Sequence, residues 1–214
     1  GRSKSYSWLA SFYLFEPTYE LLKTLLKPNL LKAFALIFNE QRAKKAFLTL
    51  SSIANEDVEI IKDEFYSLYV VPLRGIYVPP YESCFREKNG KEFGNLWGKT
   101  TEDVLKFYHK VGFEVFYPRY VVAPDHIGLE LTFMSELCSK EAKELENGNI
   151  SKAKEMERIQ LTFLRSHVLN WILDYASKIE NSQSKLYKQI AFLTKSFIQK
   201  DYKFLSLLTR LCHE

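Results

Sequence analysis

The chain has 214 residues, 46% of them hydrophobic and 15% aromatic, enough to bury a substantial core. Its net charge of +4 comes from 30 basic and 26 acidic side chains scattered along the chain, which excludes a dense nucleic-acid-binding arm. No apolar run approaches the roughly 20 residues of a membrane span, and the three cysteines are too far apart for a zinc ribbon or a redox pair.

In chain order, almost every segment has helical periodicity. Residues 6–15 form a short aromatic-rich helix ended by Glu16-Pro17. Thr18 caps the next, with a Leu21, Leu22, Leu25 and Leu26 stripe, and Pro28 bends or breaks it. Apolar helices follow at 30–38, 41–53 and 57–69, the last burying Ile61, Phe65, Leu68 and Tyr69. Residues 70–99 collect most of the Pro and Gly, and also Tyr77, Tyr81, Phe85, Phe93 and Trp97. A loop this long is uncommon in a compact domain and is often functional.

A helix at 101–111 and a second linker at 112–123 lead to Pro124-Asp125-His126-Ile127. Asp125 reads as the N-cap of a helix running to about 147, with Ile127, Leu131, Met134, Cys138 and Leu145 inward. Ser151 caps one long helix to about 178, burying Ile159, Phe163, Val168, Trp171 and Tyr175. The final helix spans 184–211, with Leu186, Ile190, Leu193, Phe197, Leu207 and Leu211 on its inner side. The fold class is all-α: a single-domain helical bundle over 1–214 with a long central Pro/Gly/aromatic-rich loop and flexible linkers near 70–99 and 112–124.

Few patterns point to catalysis. There is no phosphate-binding glycine loop, no serine elbow and no H-E-x-x-H zinc motif. His126 and Glu130 stand at i and i+4 and share a helix face. Two ligands are too few for a metal, so a hydrogen-bonded structural or recognition pair is expected. His167, one turn from Phe163 and from Trp171, reads as a satisfied histidine at a helix contact or as a functional group beside the Asp125 turn. His109 and His213 read as surface residues. Cys84 reads as a small buried hydrophobe. Glu82, between Pro79-Pro80-Tyr81 and Ser83, is placed to hold a helix start or a cationic ligand, or is an ordinary loop carboxylate.

Three motifs in order resemble the redox-enzyme maturation chaperones of the TorD/DmsD/NarJ type. The first is Phe65-Tyr66-Ser67-Leu68-Tyr69-Val70 followed by Val78-Pro79-Pro80-Tyr81-Glu82-Ser83. The second is Pro124-Asp125-His126-Ile127 with Glu130-Leu131-Thr132-Phe133-Met134. The third is Phe163-Leu164-Arg165-Ser166-His167 with Trp171. The chain departs from the family pattern before the proline, where Val121, Val122 and Ala123 replace its glutamate and Pro124 abuts Asp125 directly.

The resemblance implies a cytoplasmic, non-enzymatic chaperone without a cofactor or metal of its own. It would bind the twin-arginine signal peptide, or the apoprotein, of a molybdenum-containing oxidoreductase catalytic subunit. It would also assist cofactor insertion and proofreading before export. Tyr81, Glu82, Ser83, Trp97, Asp125 and His126 would then contact the client. Pro80, Pro124, Glu130, Phe133, Met134, His167 and Trp171 would shape the motifs. Nucleic acid and stable membrane insertion are not expected, and the chain would be a monomer or a segment-exchanged dimer. The rival reading is a metal- or nucleotide-dependent enzyme using His126, Glu130 and His167.

Overall fold

The computed structural model describes residues 1–38, 40–53 and 57–211, with side chains as far as residue 209. Their regular structure is helical, as expected: α1 (Arg2–Leu14), α2 (Tyr19–Leu25), α3 (Pro28–Phe38), α4 (Gln41–Ile53), α5 (Val58–Phe65), α6 (Glu82–Arg86), α7 (Lys99–Lys110), α8 (Ile127–Glu146), α9 (Ile150–Ser166), α10 (Ile172–Glu180) and α11 (Lys185–Leu211). They group into two compact units. One comprises Gly1–Leu14, Tyr81–Ile172 and the chain from Ile198 on; the other comprises Phe15–Pro80 and Leu173–Phe197.

In the second unit, Thr18 caps α2 by accepting from the Leu21 amide at 3.1 Å. Pro28 does not bend a continuing helix but begins α3, where its missing N–H costs nothing. Helices α3 and α4 pack together, and the Phe38 ring lies 5.4 Å from Phe47 and 5.5 Å from Phe197. Asp57 caps α5 through the Glu59 amide. A π-helical turn, Tyr66–Val70, then shifts the register so that Leu68 and Tyr69 join Ile61 and Phe65 in the core. Ser184 caps α11 through the Tyr187 amide at 2.9 Å.

The first unit is built on α8, which packs against α1 and α9. Arg2 ties the start of α1 to Glu141 on α8 at 2.9 Å and to Asp201 on α11 at 2.5 Å, and the Tyr6 hydroxyl donates to Asp201 at 2.7 Å. Gly128 lets α1 approach: a Cβ there would lie 2.5 Å from Leu14 Cγ.

Several expectations are corrected. The 70–99 stretch holds a short helix, α6, and α7 begins at Lys99 because the Glu87 carboxylate accepts from the Thr100 amide at 2.7 Å. The expected helix over 151–178 is two helices. Asn149, not Ser151, precedes the first, and His167, at φ −121° and ψ −84°, ends it. A short 3-10 turn, Val168–Asn170, leads to α10. Leu145 and Leu207 are 46% and 59% exposed rather than inward, since each lies beyond the packed part of its helix. Gly148, at φ +75°, stops the preceding turn as expected of a helix terminus. The readings of Cys212 and His213 and of the Leu211 side chain lie outside the described residues and side chains.

Candidate functional site

The end of the first motif, Tyr81-Glu82-Ser83, meets the second motif inside the first unit. Tyr81 and His126 form an antiparallel bridge, and the Glu82 amide donates to the Asp125 carbonyl at 3.0 Å. The Ser83 amide donates to Asp125 Oδ2 at 2.8 Å. Asp125 is therefore a cap, but of α6 and not of its own helix, which corrects the sequence expectation. A five-residue helix is too short to nucleate alone, and this carboxylate takes one of its free amides.

The cap of α8 is His126, whose Nδ1 accepts from the Gly128 amide at 3.1 Å. Burial drives the His126 pKa down to about 3, so the ring is neutral and Nδ1 is free to accept. The expected pairing of His126 with Glu130 does not form; the cap position turns His126 away from the helix face. The Tyr81 ring stands edge-on to His126 at 5.0 Å, and its hydroxyl accepts from the Val122 amide at 3.2 Å. The Tyr108 hydroxyl donates to the Pro124 carbonyl at 3.0 Å, fixing the turn from behind.

The third motif completes a buried carboxyl cluster. Glu82 Oε2 lies 2.9 Å from His167 Nδ1, and Oε1 accepts from Arg86 at 2.5 Å. Arg86 also donates to the Ser166 carbonyl at 3.0 Å, and the Asn170 side-chain amide donates to it at 2.7 Å, so the broken end of α9 is satisfied. The break allows Trp171 Nε1 to donate to Glu130 Oε2 at 3.2 Å. His167 is thus hydrogen-bonded where α9 ends, with Glu82 as its partner.

Glu82, Asp125 and Glu130 are all fully buried, and each meets the cost differently. Burial, with the neighbouring charges of Glu82 and Asp125, holds Glu130 well above the carboxylate range, which favours its neutral acid form. Burial also raises Asp125, opposed by the Ser83 bonds, and its Oδ1 has no hydrogen-bond partner among the described residues. Phe133 sits among the rings of Tyr108, Phe113 and Phe163 at 4.7–5.3 Å, and Met134 is fully buried beside it in sequence.

Of the expected client contacts, Tyr81, Glu82, Ser83, Asp125 and His126 come together but are buried, while Trp97 is 59% exposed. The exposed apolar residues near them were missed. Phe116, Tyr117 and Val122 lie on the 112–123 segment, which touches the site through Val122 and Tyr81 and through the influence of Asp125 on Tyr117. Apolar residues in a linker were the available signal.

The three residues of the enzyme alternative have separate partners: Gly128 for His126, Trp171 for Glu130 and Glu82 for His167. Among the described residues no group of three or more His, Cys, Asp or Glu is placed to hold a metal, and no helix is long and apolar enough to cross a membrane.

The model of the family described as nitrate reductase delta subunit matches residues 31–177. A crystal structure of a protein described as a redox enzyme maturation protein from Archaeoglobus fulgidus superposes with a TM-score of 0.55 at 23% identity. It covers 96% of this chain and 93% of that one, which shows a shared fold. No curated protein matches the chain. With the family match taking in all three motifs, the chain belongs to the nitrate reductase delta subunit family, the maturation chaperones of redox enzymes.

Proposed function

We propose that this chaperone acts in the cytoplasm on a molybdenum-containing oxidoreductase. It binds the enzyme's twin-arginine signal peptide, or its early apoprotein, and holds it until the cofactor is inserted and export can proceed. The observation that carries this reading is Asp125. It is a fully buried carboxyl with one unpartnered oxygen, beneath a segment that exposes Phe116, Tyr117 and Val122.

A twin-arginine signal peptide has a cationic head and an apolar stretch. The apolar stretch suits the exposed side chains of 112–123 and Trp97. Displacement of that segment would open Asp125 to a guanidinium, which would complete its hydrogen bonding and hold it ionised. Glu82, already held by Arg86 and His167, offers a second carboxylate once the segment moves.

The test is calorimetric titration with a synthetic twin-arginine signal peptide and with the same peptide carrying alanine at both arginines. The expected result is binding that weakens at least about tenfold on the double change, the loss of one charge-assisted bond. Equal binding of the two peptides would remove the arginine-recognition reading.

A further inference from the structure

A second feature of the same unit lies on the far side of the Glu82–Arg86 pair. A cleft of about 670 Å³ opens between α6, α7 and α9, a size suited to a small-molecule ligand. Its charges are unbalanced: Arg86, Lys106, Lys110 and Arg158 face it against Asp103 and Glu155.

Asp103 is already engaged by Lys106 at 2.7 Å, and Arg86 by Glu82. Lys110 and Arg158 make no ion pair among the described residues, so their charges are available to an incoming anion. The positions repeat by helical spacing: 103, 106, 107 and 110 share one face of α7, and 155, 158, 159, 162 and 166 one face of α9. Basic side chains therefore reach the space from three helices, and Thr162 and Ser166 also line it.

Convergence from several directions suits a tetrahedral, many-oxygened anion better than a planar carboxylate, which is best met from one side by a single guanidinium fork. Phe107, half-buried and edge-on to His167 at 5.1 Å, supplies an apolar wall. We propose that this cleft is an anion site that takes a phosphate-bearing small molecule, held chiefly by Lys110 and Arg158. A signal peptide's cationic head would be repelled here, so the site is separate from the peptide site and does not depend on it. Arg86 connects them: an anion that draws it inward competes with Glu82.

The experiment is calorimetric titration of the whole chain with inorganic pyrophosphate, adenosine diphosphate and citrate. The titrations are repeated on Lys110→Gln/Arg158→Gln and on a control of equal charge change, Lys44→Gln/Lys45→Gln, which lies on exposed positions of α4. The expected result is pyrophosphate binding that falls at least about tenfold in the cleft variant, is preserved in the control, and exceeds that of citrate. Adenosine diphosphate binding more tightly than pyrophosphate would support the site with a ring against Phe107; equal binding would support it with the phosphate alone recognised. Absence of pyrophosphate binding, an equal loss in the two variants, or citrate binding as tightly as pyrophosphate would overturn the proposal. None of these outcomes bears on signal-peptide binding, which uses a different probe.

Discussion

The paired loops around Asp125 and the cleft beside Arg86 belong to one unit and share the Glu82–Arg86 pair, yet they handle charge in opposite ways. Around Asp125 three carboxyls are fully buried. One keeps its proton, one is held by a backbone amide, and one is held by a cation and a histidine. In the cleft the charges are mostly lysine and arginine, and Lys110 and Arg158 make no ion pair among the described residues. Buried charge must be neutralised within the fold and so becomes structural, whereas open charge remains exchangeable for a ligand. Glu82 and Arg86 form the seam, with Glu82 fully buried and the Arg86 side chain 35% exposed.

The largest expected effect comes from the buried side. Phe133→Ala empties a place among Tyr108, Phe113 and Phe163, and should cost about 3–5 kcal/mol in denaturant unfolding. A loss under about 1 kcal/mol would mean that the ring cluster does not hold the Asp125 turn. Arg86→Ala strikes the seam, leaving Glu82 with His167 alone, and should cost about 2 kcal/mol by the same measurement. No change would mark the pair as belonging to the open side.

Two changes probe titration. His126 has a folded pKa near 3, below its unfolded value, so its contribution is present above about pH 6.5 and is lost as pH falls towards 3. Between pH 7 and pH 5 that loss is about 2 kcal/mol. His126→Asn, which retains a capping side chain, should remove this part of the acid destabilisation. An unchanged stability–pH slope below pH 6.5 would rule out a neutral buried ring.

Glu130 has the opposite sign. Its folded pKa is raised, so its contribution is full below the unfolded value of about 4.3 and declines as pH rises above it. Glu130→Gln keeps a neutral acceptor for Trp171, and should flatten that decline and raise the melting temperature at pH 8 relative to pH 5. The smallest expected stability effect is that of Asp125→Asn, since asparagine caps nearly as well. Its melting temperature should change little while signal-peptide affinity falls about tenfold or more; unchanged affinity would leave Asp125 with its capping role alone.

Most of the helices were legible because their periodicity and caps are local. Thr18, Asp57 and Ser184 each bond an amide two or three residues on, so a short window contains both partners. The break at His167 was not legible, because an uninterrupted helical pattern runs through it. What stops the helix is Glu82, 85 positions away, together with Glu130 holding Trp171. The α6 helix was hidden for the same reason, its cap coming from Asp125. The spacing of the motif residues was visible along the chain, but their burial and their partners were not.

The sequence by itself determined the helical class, the Thr18 cap, most of the apolar faces and the family, because these rest on spacing along the chain. Only the tertiary structure decided that Asp125 caps a different helix, that His126 is a neutral cap, that Glu130 stays protonated and that basic side chains from three helices line one cleft. Each of these depends on groups brought together from distant parts of the chain, and on the low dielectric of the interior that makes their charges matter.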